Sequence, residues 1–582
     1  MQNDNLLLDD SIKSSPLYSE DLAPIPLSKR TWNKWNLAAL WVGMAVCIPT
    51  YILASYMIKT GLSWQAALII IGLANMVITI PMVLNGQAGV KYGIPFPVIG
   101  RAAFGYRGIH IPSFMRAIVA CGWFGVQTWI GGLALYSIWN AATGATPSVG
   151  LDIGKFIGFG AFWIINIYFI WRGTESIKWL EDWSAPILII IGLFLIGWAW
   201  REGGGFSNVL AQSKQLQKPT AEFNPKTKTI IFNYLKGFNG APKALNVNMW
   251  VPMADGSTKE MGWGEIHWSL LEVSMPVPHQ FNLENIKQKT DYPNIENGKR
   301  PIKLQVRTAD VTSSVIQASV KSNSPNTLLW SYILWFTAMV GFWATMSISI
   351  SDITRFAKSQ DDQIKGQFIG LPGTMIFYSF VGIFVTCAAV VVFRDVLVTE
   401  DAPWDPVSLV SKFKNPAVVI FAQIAMIIAT LSTNIAANVI APAYAFSNMF
   451  PKAISFKMGG VIAGIIGIVI CPWWLMDEIS NLLLFISGLL GPILGILLCD
   501  YFIIRHKILN INALFLTDDE YSYRSGFNPC ALIALVLGIL SALIGKWVPA
   551  LSFFFSLSWF TGFVIAFGIY YFLMKKAVKN EQ

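Results

Sequence analysis

The chain has 582 residues, 54% of them hydrophobic and only 13% charged, against the roughly 25% charged residues of ordinary soluble domains. Such a composition excludes a soluble globular protein and places most of the chain in membrane lipid. The formal net charge of +9 is dispersed in short clusters between apolar runs, so no nucleic-acid partner is expected and the placement of each cluster matters more than the sum.

Apolar stretches long enough to cross a hydrocarbon core of roughly 30 Å are predicted near residues 35–60, 65–86, 112–141, 154–172, 182–200, 328–352, 367–393, 415–445, 459–475, 480–504, 528–547 and 553–574. If these spans alternate, the basic residues Lys91, Arg101, Arg107, Arg172, Lys178, Arg355, Lys358, Lys452, Lys457, Arg505, Lys507 and Arg524 fall on one side. The positive-inside rule makes that side cytoplasmic. The expectation is a multi-pass protein of the inner or plasma membrane with both termini cytoplasmic. No cleavable signal peptide is recognisable in the polar first thirty residues, so the first span is expected to direct insertion.

The predicted divisions are a cytoplasmic tail 1–33, a five-span unit 34–200, an extracytoplasmic insert 201–327, a second five-span unit 328–505, a cytoplasmic loop 506–527, two further spans 528–575 and a tail 576–582. Within the insert, alternating stretches "TKTIIFNYL" and "IKLQVRTADV", with turn signals "FNGAP", "ADGS" and "NGKR", predict short strands. The insert has no cysteine, so it must cohere through its own small core or by leaning on the membrane domain.

Two spans carry internal interruptions. The first reads "GMAVCIPTYILAS", where Gly43 and Pro49 bracket a few residues, and the sixth reads "MVGFWATMSISISDITR". Proline removes a helical hydrogen bond and disfavours helix at the preceding residue. The interruptions correspond in position if spans one to five and six to ten repeat one unit, the pattern of an inverted-repeat transporter with a site at mid-membrane.

In the third span, "CGWFGVQTWIG" places Trp123 and Gln127 four residues apart, on one helical face. In the eighth, Ala429, Ser432 and Thr433 stand at i, i+3 and i+4. If the broken first span adds the carbonyls of Gly43 and Val46, five neutral oxygens form a cage suited to a hard monovalent cation such as sodium. On an α-helix Asn438 lies about 140° round from Thr433, facing a neighbouring cavity. Each residue also has a plainer reading. Membrane tryptophans favour interfacial belts, lone amides act as interhelical glue, and serine or threonine bonds back to the preceding turn. Asp352, Asp500 and Arg505 are read as helix-end or gate contacts. The four histidines are scattered, and with no nucleophile, base or metal cluster at depth an enzyme is not expected.

The stretches "GIPFPVIGRAAFGYRG", "GWFGVQTWIG", "LSTNIAANVIAPAY" and "GPILGILLCDYFIIRHK" together resemble the nucleobase-cation-symport-1 family. The resemblance covers nearly all of residues 30–575 apart from the insert. It implies an all-α leucine-transporter-like fold with a 5+5 inverted repeat plus two helices. It also implies cation-coupled uptake, by alternating access, of a nucleobase, allantoin or hydantoin-like ring. Carried over by position, it implies that Trp123 and Trp343 cover the two faces of the ring, that Gln127 and Asn438 pair with its edge, and that Leu483 gates bulky substituents. It implies a sodium site on the backbone of Gly43, Val46 and Ala429 and on the hydroxyls of Ser432 and Thr433. Two substrate-site positions depart from the hydantoin-transporting pattern: Cys47 stands in place of a glutamine and Phe342 in place of a glycine. No cofactor is expected beyond the coupling ion, and the partners are a small heterocycle and lipid. Proton coupling and a nucleobase sensor are the competing expectations.

Overall fold

The computed structural model describes residues 8–145, 150–213, 221–226, 228–232, 244–267, 279–282, 290–307, 315–320, 327–392, 406–411, 413, 415–470, 472 and 479–581. Among these, ten helices are long and apolar enough to cross a membrane, and one bent helix pair adds an eleventh span. The shorter apolar helix Phe456–Val469 stands at the ninth expected position.

The first span is two helices, α1 (Lys34–Ala45) and α2 (Ile48–Lys59), bent by 69°. Asn33 caps α1 by accepting from the backbone N–H groups of Trp35 and Asn36, which satisfies donors that have no intrahelical partner. The break falls at Val46 (φ −78°, ψ 73°) and Cys47, whose backbone is extended (φ −133°, ψ 159°). Pro49 lies just inside α2, where its missing N–H costs least. The interruption is thus narrower than the Gly43–Pro49 bracket: Gly43 remains helical in α1.

The remaining first-unit helices are α3 (Trp64–Tyr92), α4 (His110–Thr143), α5 (Ile153–Arg172) and α6 (Thr174–Glu202). The second unit repeats the broken opening with α7 (Thr327–Phe342) and α8 (Ala344–Ser349), separated at Trp343. It continues with α9 (Gln360–Val392) and α10 (Pro416–Thr433), a π-helical segment Asn434–Val439, and α11 (Ile440–Met449). Next come α12 (Phe456–Val469), α13 (Ile479–Leu498), α14 (Pro529–Leu543) and α15 (Ser558–Glu581).

Glycines let these helices approach closely. A Cβ on Gly125 of α4 would lie 2.3 Å from the Gly467 carbonyl oxygen of α12, and one on Gly341 of α7 would lie 1.7 Å from Ser487 Oγ of α13. In lipid, where burial of apolar surface does not drive helices together, such backbone proximity is a main source of association.

Among the described residues, the insert holds eight strands: β1 (Ala221–Asn224), β2 (Thr229–Phe232), β3 (Ala244–Pro252), β4 (Thr258–Glu260), β5 (Gly264–His267), β6 (His279–Asn282), β7 (Lys303–Arg307) and β8 (Ile316–Val320). Their order is β4-β3-β7-β8-β1-β2-β6, with β5 also on β3. β1 and β8 run parallel. The two alternating stretches supply β2 and β7, and "ADGS" turns between β3 and β4, with Gly256 at φ 85°. "NGKR" precedes β7, whereas "FNGAP" lies outside the described residues. Phe223, Ile230, Val251, Ile295 and Leu304 form a buried core.

Residues preceding α1 form a ribbon across one end of the bundle. Trp32 N–H donates to the Phe356 carbonyl (3.0 Å) and Lys358 N–H to that of Trp32 (2.8 Å). Arg355 reaches the carbonyls of Asp21 (2.9 Å) and Gly93 (3.1 Å). Ser15 Oγ bonds the Phe515 carbonyl, and Asn512 Nδ2 donates to Asp9 (2.7 Å).

The Gly341–Ser487 approach is testable. Gly341→Ala is expected to cost about 1–3 kcal/mol through overpacking, seen as a lower unfolding temperature of the purified protein. Adding Ser487→Ala, which removes the 1.7 Å clash and leaves Cβ at 3.1 Å, is expected to recover part of the loss.

Candidate functional site at the two helix breaks

The two breaks, α4 and the π segment meet in the middle of the bundle, and the polar residues singled out from the sequence lie along this junction. Thr433 Oγ1, the last residue of α10, donates to the Gly43 carbonyl at 3.0 Å and lies 3.3 Å from that of Met44. Ser432 Oγ accepts from Ser184 Oγ of α6 at 3.1 Å. Val46 caps the end of α1, Ala429 lies one turn before Thr433, and all five residues expected to form the cage are buried. The cluster combines backbone and hydroxyl oxygens without a formal charge, a donor set suited to a singly charged hard cation. The role of Ser184 was not legible in the sequence, because nothing in "EDWSAP" separates it from a serine bonded to its own helix.

The aromatic residues form a continuous chain. Trp123 meets Phe342 edge-on, with ring centroids 5.8 Å apart and planes at 85°. Phe342 meets Trp343 at 5.1 Å and 76°, and Trp343 meets Trp41 of α1 at 5.1 Å and 87°. Phe342 therefore stands between the two indoles, so the side chain that replaces a glycine enters the space they border. Trp123 is half-buried, whereas Trp343 is 4% exposed.

Among the buried polar atoms here that have no protein partner are Gln127 Oε1, Trp343 Nε1 and Arg116 Nη1. The Gln127 side chain also lies within hydrogen-bonding reach of the Cys47 thiol, which in turn meets Thr50 Oγ1 at 3.2 Å. Leaving such groups unmet costs roughly 1–3 kcal/mol each, so an unpaired acceptor and an unpaired donor at one junction mark a place for a ligand carrying the complement of both. Leu483 of α13 is fully buried, its carbonyl oxygen 3.1 Å from where a Gly341 Cβ would stand, directly behind the sixth-span break.

Asn438 departs from the α-helical expectation. It belongs to the π segment, whose i→i+5 bonds take more residues per turn, so the angular setting of an ordinary α-helix does not apply to it. Asn438 Nδ2 donates to Asn434 Oδ1 at 3.1 Å.

Other residues at the junction escaped the sequence reading. Arg116 is fully buried in α4 and ties three elements together. Its Nε donates to the Thr345 carbonyl (2.7 Å) and Ser349 Oγ (3.1 Å), and its Nη2 to the Ala437 carbonyl (3.1 Å). Asn85 of α3 donates to the carbonyls of Ser347 (2.8 Å) and Ile348 (2.7 Å) in α8. A cation seven residues before Trp123, hence on the same helical face, was the available signal for Arg116. Asp352 is also fully buried, and its Oδ1 accepts from Phe96 N–H at 2.7 Å.

Residues 24–238 and 305–562 match the profile of a family described as "Permease for cytosine/purines, uracil, thiamine, allantoin". The chain is 31% identical over 574 residues to an allantoin permease of Bacillus subtilis, covering 97% of this chain and 94% of that one. It is 31% identical over 594 residues to a purine-uracil permease of Arabidopsis thaliana, covering 98% and 80%. Among solved structures it is similar to Mhp1, a nucleobase-cation-symport-1 family transporter in a closed conformation with bromovinylhydantoin bound, with a TM-score of 0.66, 22% identity and coverage of 97% and 96%. At that identity the likeness speaks to fold alone, and the fold is leucine-transporter-like: two five-span units that each open with a broken helix, followed by two further spans.

Arg116 gives a direct test of the junction. Arg116→Met keeps the bulk but strips Thr345 and Ala437 of a charged donor, at an expected cost of about 1–3 kcal/mol in a thermal-unfolding assay. Arg116→Lys, a point donor in place of a fork, is expected to recover only part.

Proposed function

The chain belongs to the family of permeases for cytosine/purines, uracil, thiamine and allantoin, a multi-pass membrane transporter, and from that premise we propose that it carries a planar nitrogen heterocycle into the cell with sodium by alternating access. The observation that carries this reading is the pair of buried, unpartnered atoms Gln127 Oε1 and Trp343 Nε1, beside a neutral oxygen cluster at Gly43 and Thr433. The substrate class is a nucleobase, allantoin or a hydantoin-like ring. Trp123 and Trp343 lie against it, Gln127 and Asn438 bond its edge, and Cys47 and Phe342 trim the space available. Leu483 limits substituents that project from the ring.

Stacking on an aromatic side chain contributes roughly 1–3 kcal/mol per ring and depends little on which ring it is. Discrimination falls to the carboxamides and the indole N–H, because a ring lacking their complements leaves buried groups unmet. The cation occupies the carbonyls of Gly43, Val46 and Ala429 and the hydroxyls of Ser432 and Thr433. Thr433 Oγ1 is already held by the Gly43 carbonyl, so a cation entering there draws α1 and α10 together. Substrate contacts reach the same α1 break through Cys47. Ion and ring therefore favour one arrangement, and by linkage each tightens the other. In this reading both termini are cytoplasmic and the insert 201–327 is extracytoplasmic.

Purified protein in proteoliposomes tests the proposal, with labelled uracil, allantoin and hydantoin presented under an inward sodium gradient and under choline. Uptake is expected only with sodium. Thr433→Ala is expected to weaken the sodium dependence by about tenfold, the equivalent of one lost contact. Trp123→Ala is expected to raise KM roughly ten- to a hundredfold at unchanged membrane abundance. Equal uptake in choline would refute the sodium cage, and uptake that instead follows an imposed pH gradient would assign coupling to protons. Normal affinity in Trp123→Ala would remove that residue from the ring.

A further inference from the structure

Behind Asn438 lies a chain of polar side chains that the transport reading does not use. Asn166 of α5 donates from Nδ2 to the Phe162 carbonyl at 2.8 Å. Thr128 of α4 donates from Oγ1 to the Phe124 carbonyl at 2.7 Å. Both donations end on backbone carbonyls, which only accept. Asn166 Oδ1 and Thr128 Oγ1 are thereby left as acceptors, and both face Asn434: its Nδ2 donates to Asn166 Oδ1 at 3.0 Å and to Thr128 Oγ1 at 3.1 Å, and lies 3.4 Å from the Phe124 carbonyl. With its nitrogen committed on that side, Asn434 turns Oδ1 towards Asn438 and accepts from Asn438 Nδ2 at 3.1 Å.

The direction of every bond in this chain follows from its two carbonyl ends. Asn166, Thr128, Asn434 and Asn438 are all buried, so no bulk water competes for the amides. We infer that Asn434, backed by Asn166 and Thr128, is a positioning residue that fixes the Asn438 carboxamide with its oxygen available to the substrate. A free asparagine offers either an acceptor or a donor at nearly equal cost, whereas this one is set as an acceptor. Gln127 Oε1 is a second unpartnered acceptor and Trp343 Nε1 an unpartnered donor. The site therefore selects rings whose edge carries N–H groups next to a carbonyl, the lactam, imide and ureide class, and rejects the same rings once those nitrogens are methylated. This rests on the transport reading and adds to it the origin of its selectivity.

Binding is measured by ligand-dependent thermal shift on the full-length purified protein in sodium, and uptake in proteoliposomes. The probes are uracil, 1-methyluracil and 3-methyluracil, with hydantoin and its two N-methyl derivatives as a second series. In the unsubstituted protein at least one parent ring is expected to bind roughly tenfold or more tighter than its N-methylated form, a ratio typical of a lost buried hydrogen bond. In Asn434→Ala the Asn438 amide is free to reverse, and the ratio is expected to fall to within about threefold of unity, by the same principle. Asn166→Ala, which releases one of Asn434's acceptors, is expected to give an intermediate ratio. Thr128→Val leaves Asn434 anchored to Asn166 and is expected to keep most of it.

A purely packing role would lower abundance or weaken parent and methylated rings in parallel. An unchanged ratio in Asn434→Ala therefore overturns the inference while leaving transport intact. Should Asn434→Ala fail to fold, an unchanged ratio in Asn166→Ala overturns it instead. Equal binding of parent and N-methylated rings by the unsubstituted protein overturns this inference alone, whereas failure to bind any ring of either series, allantoin or a purine removes the transport reading with it.

Discussion

Lipid offers no hydrogen-bond partners, so a helix that breaks inside the membrane must have its freed backbone groups answered by protein. This chain breaks two such helices and widens another at Asn434–Val439, and each of these three has its respondents. Thr433 answers the carbonyls of Gly43 and Met44 beside the first break. Asn85 answers Ser347 and Ile348 beyond the second. Arg116 joins Thr345 to Ala437, linking the second break to the π segment. Among the buried atoms left over, Gln127 Oε1 and Trp343 Nε1 are an acceptor and a donor beside the breaks, with Arg116 Nη1 a further donor. A junction of this kind concentrates binding groups in one place and surrounds them with residues that cannot easily shift.

Much of the architecture was legible in the sequence because hydropathy over a span and the positions of glycine and proline are local signals. The broken first and sixth spans, and the strands at Thr229–Phe232 and Lys303–Arg307, follow from such signals. What stayed hidden depends on partners distant in the chain. Ser184 matters because Ser432 lies opposite it. Asn434 reads as one more amide in "LSTNIAANV" until Asn166 and Thr128 are brought to it from two other helices. Arg116 looks like a residue near the start of a long span until the helix break it reaches is seen. The π segment has no sequence signature of its own, so a helical wheel of ordinary period does not apply to Asn438.

The departure at Phe342 shows how one side chain changes a site without adding a polar group. A glycine there would leave the two indoles separated by open space, whereas phenylalanine touches both, at 5.8 Å and 5.1 Å between centroids. Aromatic rings prefer such edge-on contact, and a guest must displace or share it. In the proposed function, size selection thus falls to an aromatic residue next to the helix break, while recognition of nitrogen and oxygen stays with the amides.

The ribbon of residues ahead of α1 bears on biogenesis. Asp9 is held by Asn512 and Ser15 by Phe515, so a segment synthesised before the first span receives those contacts from a loop that follows the tenth. Through the insertion of ten spans those partners do not yet exist, and these ends of the ribbon seat only when the loop beyond α13 has arrived. Docking there closes a loop of 503 residues and reports that the ten spans between have been made and threaded.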